Sequence, residues 1–200
     1  MQSDRAGHTD PPRTAAAGSW RNGAGRYGLL SIALHWLMLV LFVAVYATIE
    51  LRELYPKGSD PREALKTWHY MLGMSVFFLV WLRVVIHATA GPPPLVRPEP
   101  GRWQALAARL MHVALYLLMI VMPVAGWLIL SAEGEAVPFF GLQLPALVGE
   151  NKELAGLAEE IHETVGTVGY WLIGLHTAAA LFHHYIVRDN TLRRMLPRRT

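Results

Sequence analysis

The chain contains no cysteine in 200 residues. That excludes disulfides, thiolate zinc sites, iron–sulfur clusters and thioether-linked c-type haem. Charge is scarce as well: Asp, Glu, Lys and Arg make up 16% of the residues, against roughly a quarter in soluble domains. The N-terminal region lacks the apolar core of a signal peptide, and no fixed-period repeat occurs. What the chain does have is 53% apolar residues, a mean hydropathy of +0.28 and nine histidines. These proportions exclude an ordinary soluble enzyme and a disordered tail protein.

Four apolar stretches are long enough to cross a hydrocarbon core of ~30 Å, which takes about 20 helical residues. They cover residues 29–49, 68–90, 105–130 and 161–187. Breakers lie between them: Pro56, Gly58 and Pro61, then Gly91-Pro92-Pro93-Pro94, then Gly134, Pro138, Gly141, Pro145 and Gly149. Pro123 falls inside the third span, where lipid tolerates a kinked helix. The expected fold is therefore all-α, an integral-membrane bundle of four transmembrane helices. Residues 1–28 read as a disordered N-tail, 29–190 as the membrane domain and 191–200 as a basic C-tail.

Lys and Arg set the orientation, because acids contribute little. The N-tail, the connection between spans two and three with its first turn, and the C-tail together hold twelve; the opposite side holds five, Arg52, Lys57, Arg62, Lys66 and Lys152. Both termini are therefore expected in the cytoplasm. The pI near 9.4 reflects this topology, and no nucleic-acid partner is needed to explain it.

Ionisable side chains inside a membrane are costly, so each one is a functional candidate. His162 and His176 are 14 residues apart in the fourth span. They share a helix face to within about 40° and sit ~21 Å apart along the axis. His35, early in the first span, matches His176 in depth, and His69, opening the second, matches His162. Two histidines facing each other across an apolar bundle, twice over, suit two bis-imidazole haems stacked across the membrane. Zinc or copper also takes imidazole, but closed zinc sites want four ligands and no carboxylate or thiolate shares either depth. Interfacial hydrogen bonding would account for His69 or His162 alone, not for His35 and His176. Gly73 and Gly169 lie near these histidines. A missing side chain lets a flat porphyrin approach, and small residues at helix contacts give the same pattern.

The run Ser31-Ile32-Ala33-Leu34-His35-Trp36-Leu37 resembles the first-helix motif of the bacterial cytochrome b561 family. Trp68-His69 followed by Gly73 is similar to the second-helix ligand site of that family. His162-Glu163-Thr164, the stretch from Gly169 through His176 to Tyr185, and the closing Asp189-Asn190-Thr191-Leu192 resemble its fourth helix and C-terminus. The similarity covers roughly residues 26–198. It implies a di-haem b protein of the bacterial inner membrane, with iron ligands at His35, His69, His162 and His176. The best-understood type member of that family is a superoxide oxidase that hands electrons to ubiquinone; other relatives are cytochrome subunits of hydrogenases or reductases. The implied partners are thus lipid, ubiquinone, and either superoxide or another periplasmic donor, including a docked redox protein.

The remaining polar residues fall around this frame. Arg83, 14 residues after His69, is expected near the cytoplasmic haem, where a haem propionate or a quinone oxygen supplies the anion it needs. His183 follows His176 by two turns towards the cytoplasm. Arg83 and His183 are the candidate catalytic pair at a quinone site. His184 and His87 read as interfacial, His8 as a tail residue, and His112 as lacking a partner at matching depth. Arg52, Lys57, Arg62 and Lys66 near His69 form a candidate steering patch for superoxide. The apolar run 137–148 is a candidate lid on the outer side.

Overall fold

In a bilayer every backbone N–H and C=O must be bonded within its own segment, so each long apolar run has to become a helix. The computed structural model describes residues 20–197. Helix α1 (Leu29–Leu51) ends in a 3-10 turn (Arg52–Leu54) and is followed by α2 (Asp60–Thr89) and α3 (Arg102–Glu133). A two-stranded hairpin, β1 (Val137–Phe139) and β2 (Leu142–Leu144), then leads into α4 (Lys152–Phe182). A π-turn (His183–Val187) and a 3-10 turn (Arg193–Met195) complete the described chain. All four α-helices are long and apolar enough to cross a membrane. The protein is a four-helix membrane bundle, as its hydropathy indicates.

The helices outrun the apolar spans. Helix α2 opens at Asp60 rather than at residue 68, and α4 at Lys152 rather than at residue 161. Hydropathy marks where lipid lies, but a helix stops only at a cap or a breaker. Ser59 precedes α2 with a proline in the first turn, and the Asn151 side chain accepts the Leu154 N–H at 3.0 Å at the start of α4. At 1.5 Å per residue, the 30 residues of α2 reach about 45 Å, beyond a core of ~30 Å. Gly134, at φ 78°, closes α3 in the left-handed conformation that favours glycine.

The hairpin is the one addition to the all-helical expectation. Its turn residues, Phe140 and Gly141, both have positive φ (46° and 83°), the geometry that matches the strand twist of a two-residue loop. It packs on α2 rather than lying free in the interface: the Phe139 ring is tilted against that of Phe78 at 5.2 Å, Phe140 meets Trp68 at 6.3 Å, and Val137 is buried.

Both described ends of the chain meet at the other end of the bundle, hereafter the terminal end. Residues 20–28, expected as part of a disordered tail, are seated there by specific bonds. Asn22 N–H donates to Ala90 O at 2.8 Å, Asn22 Oδ1 accepts from Gly28 N–H at 3.0 Å, and Tyr27 N–H donates to Arg194 O at 3.3 Å. The segment after α4 is held likewise, with Asn190 bridging Arg97 N–H and Leu95 O. Residues 1–19 and 198–200, which include His8 and the rest of both expected tails, lie outside the described residues.

Close backbone packing joins α1 to α2, α2 to α3 and α3 to α4. A buried core of Met38, Val76, Val80 and Met119 ties the first three helices together. Helices α1 and α4 meet instead through side chains: the Tyr46 hydroxyl donates to Gly166 O at 2.9 Å and the Tyr170 hydroxyl to Glu50 Oε1 at 2.6 Å. Val40, Val43, Trp81, Trp171 and Leu175 are exposed, the surface a lipid-facing bundle requires.

Candidate functional site

Helix α4 carries a histidine at each of two levels and meets a different helix at each. His176 faces His35 of α1 with ring centres 6.3 Å apart. His162 faces His69 of α2 at 6.2 Å. The structure therefore brings together both pairs that depth and helical phase selected. An iron bound by two imidazoles needs about 2.0 Å to each nitrogen. With ring bonds of ~1.33 Å, each ring centre lies about 1.1 Å further out, which gives a centre-to-centre spacing near 6.2 Å. Both pairs have this spacing, so these side chains fit a flat iron porphyrin between them.

The surroundings of the His69 pair support the fit. His69 Nδ1 lies 3.0 Å from Val45 O. A carbonyl only accepts, so Nδ1 carries the proton and Nε2 is left free for metal. A cavity beside the pair is lined by Gly73, Met74, Gly126, Trp127 and Val137 among others. A Cβ at Gly73 would meet nothing within 4 Å, so open space adjoins that helix face. Gly126 of α3 lies against the His162 ring, where a Cβ would stand in van der Waals contact with Cε1 at 3.4 Å. Gly169 has a different role: a Cβ there would collide with the Tyr46 hydroxyl and crowd Leu118, so this glycine serves the α1–α4 contact.

At the terminal-end pair, Arg83 Nη2 lies 3.3 Å from His35 Nδ1, and Arg83 Nε donates to the Tyr116 hydroxyl at 3.2 Å. Arg83 Nη1 is buried without a partner. His112, set aside in the sequence for lack of a partner, has its ring 5.6 Å from that of His176. The signal was present: α3 starts at the same end as α1, so a histidine ten residues after Arg102 reaches the level of His35. Tyr116, one turn on, carried no sequence signal.

His183 is not a free side chain. Its Nδ1 lies 2.5 Å from Asp189 Oδ2, and Asp189 Oδ1 accepts the Thr191 N–H at 2.8 Å. Burial works against the Asp189 carboxylate, but the bonds from Thr191 and His183 outweigh it and hold the carboxyl below its ordinary value. His87 is exposed on α2, and His184 packs edge-on to Tyr185. At the hairpin end, the steering patch is largely engaged. Arg62 and Arg52 both pair with Glu53, at 2.9 and 3.0 Å, and Lys66 pairs with Glu63 at 2.9 Å.

The family profile described as prokaryotic cytochrome b561 matches residues 26–198. This chain belongs to the prokaryotic cytochrome b561 family. Curated relatives agree along nearly the whole length. "Cytochrome b561 homolog 1" of Escherichia coli (strain K12) is 40% identical over 174 residues, covering 87% of this chain and 98% of that protein. "Probable superoxide oxidase CybB" of Yersinia pestis is 36% identical over 174 residues, covering 87% and 97%. "Cytochrome b561 homolog 2" of E. coli (strain K12) is 32% identical over 183 residues, covering 89% and 95%. This cytochrome b561 is thus a bacterial membrane electron-transfer protein of a haem-b-binding family. His35 with His176 and His69 with His162 are its two facing histidine couples.

Proposed function

We propose that this protein takes electrons from superoxide at the hairpin end and delivers them to ubiquinone at the terminal end, across the bacterial inner membrane. The observation that carries the proposal is the pair of histidine couples at iron-spanning distance, 14 residues apart on α4, or ~21 Å along the axis. Two haems b, one held by His35 and His176 and the other by His69 and His162, supply one-electron transfer when bound. Superoxide as donor is supported by the relative named as a probable superoxide oxidase.

The protein's own part is to bind, orient and move protons. Quinone reduction takes two electrons and two protons. His183 sits beyond His176 towards the terminal end, and its Nδ1 is fixed by Asp189. Its Nε2 is the atom left to give a proton to the quinone oxygen, with the Asp189 carboxylate steadying the imidazolium. Arg83 stays charged and has Nη1 without a partner, so it stabilises negative charge on the reduced oxygen.

A second reading, an electron-carrying subunit docked to a redox protein, has support of its own. Because Arg52, Arg62 and Lys66 are engaged with Glu53 and Glu63, they draw a small anion only weakly. Stopped-flow reduction by superoxide, followed by ubiquinone-dependent reoxidation, separates the two. The proposal expects fast reduction in the wild type. His183→Ala and Arg83→Gln are expected to slow reoxidation about a hundredfold while leaving reduction intact. Haem content is expected at two per chain, falling to one in His176→Ala. No reduction by superoxide sinks the donor, and reoxidation unchanged in both variants sinks the quinone site.

A further inference from the structure

Arg194 is a buried cation that no acid answers among the described residues. It is only 8% exposed. Nη1 donates to Pro94 O, and the guanidinium lies over the Tyr27 ring, 5.7 Å from its centre. Nε is buried and has no hydrogen-bond partner, and none of the ion pairs among the described residues includes Arg194. Arginine has only donors and stays charged at any relevant pH. A buried, unpaired charge is strongly destabilising unless an anion completes it.

The position of this cation says which anion. Arg194 sits in the 3-10 turn Arg193–Met195. That turn is pinned to the bundle where the Trp36 indole N–H donates to Met195 O at 2.7 Å. Trp36 in turn packs edge-on against His35, with ring centres 5.5 Å apart. The turn is therefore tied to the residue next to His35, at the end of the bundle that holds the His35–His176 couple. A haem b is apolar except at one edge, which bears two ionised propionates. Where those carboxylates are taken out of water they need charged donors.

We propose that Arg194, through its Nε, holds a carboxylate of the haem bound by His35 and His176, leaving Arg83 for the quinone. This rests on the inner haem proposed above. The carboxylate neutralises the orphaned guanidinium, and Arg194 in return fixes the haem edge and favours the reduced, less positive iron. The 20–28 segment gains a role as well: Tyr27 shields the pair on one side and bonds to the Arg194 backbone.

The test compares the purified holoprotein with Arg194→Gln and Arg194→Lys. Measurements are haem content, the redox midpoint of each haem, and the propionate bending band in resonance Raman spectra. The expected result in Arg194→Gln is a lower midpoint for the inner haem alone and a shifted inner-haem propionate band. Arg194→Lys is expected to restore most of the midpoint but not the band, since an ammonium keeps the charge and loses the fork. An inner-haem midpoint and band equal to wild type in both variants would overturn the assignment. So would an unchanged band with weaker retention of anionic lipid, which would give the guanidinium to a lipid phosphate. If Arg194→Gln fails to accumulate, the band in Arg194→Lys still decides. Failure of the underlying reading looks different: His176→Ala would then keep both haems.

Discussion

Tyr46 and Gly169 act as one unit, because the hydroxyl of the first occupies the space the second leaves empty. The phenol reaches across from α1 to donate to Gly166 O at 2.9 Å, and its ring lies 4.2 Å from that of Tyr170, whose hydroxyl goes to Glu50. Adding a methyl at Gly169 drives it into the Tyr46 hydroxyl. Gly169→Ala is therefore expected to lower stability by roughly 1–3 kcal/mol, the usual range for overpacking. Tyr46→Phe combined with Gly169→Ala should recover part of that loss, because the colliding oxygen is gone. Thermal melts of the detergent-purified protein, followed by haem absorbance, read both effects; equal melting for the single and double variants would show that the contact is not the cause. The glycine's role could not be read from the sequence, since a porphyrin and a tyrosine demand the same missing side chain. The four iron-ligand candidates could be read, because helical periodicity and depth in the membrane follow from residue number alone. His112 was overlooked because it was judged against mirrored depth, while its partner His176 already belonged to another couple. Arg194 lay in a stretch read as a basic tail, where burial leaves no trace in composition.

The end of α4 shows how an element stops when it must also hold a functional side chain. The α-helix passes into a π-turn over His183–Val187, and the chain reverses at Arg188, whose φ is 59°. Asp189 then comes back to His183, completing a loop that closes the helix and fixes the imidazole together. The depressed Asp189 carboxyl has a thermodynamic consequence. A group whose pKa is lower when folded contributes stability above the unfolded value, about 3.9 for Asp, and loses it as pH falls through the folded value. The stability difference between wild type and Asp189→Asn is therefore expected to stay level from neutral pH down to about 4 and to shrink below that. Melts across that range measure it, and a difference that grows in acid would reverse the sign of the argument. Asp189 was legible only as part of a family-like ending, not as a cap. The hairpin was missed for a related reason. Its turn, Phe140-Gly141, lacks the Asn-Gly or Asp-Gly that marks such loops, and its apolar strands look like a membrane-interface segment.

At the scale of the whole molecule, basic charge among the described residues is gathered at the end where the two described chain ends and the connection between α2 and α3 interlock, eight Lys and Arg against five at the hairpin end. Insertion holds such an end on the cytoplasmic side. The same end carries the His35–His176 couple, Arg83 and the His183–Asp189 pair, so the proposed function has its protons drawn from the compartment that retains the positive loops. The hairpin end carries the His69–His162 couple beneath β1 and β2, with Val137 lining its cavity. The direction of electron flow proposed above thus depends on topology, not on any one side chain. A fluorescent reporter that matures only in the cytoplasm, fused after Thr200, is expected to light up, and an alkaline phosphatase fused there is expected to stay inactive. An active phosphatase would turn the molecule over. The His69–His162 couple would then face the cytoplasm, where periplasmic superoxide has no access to it. The donor would have to approach from the Arg194 end instead, and the quinone site proposed at Arg83 and His183 would draw its protons from the periplasm.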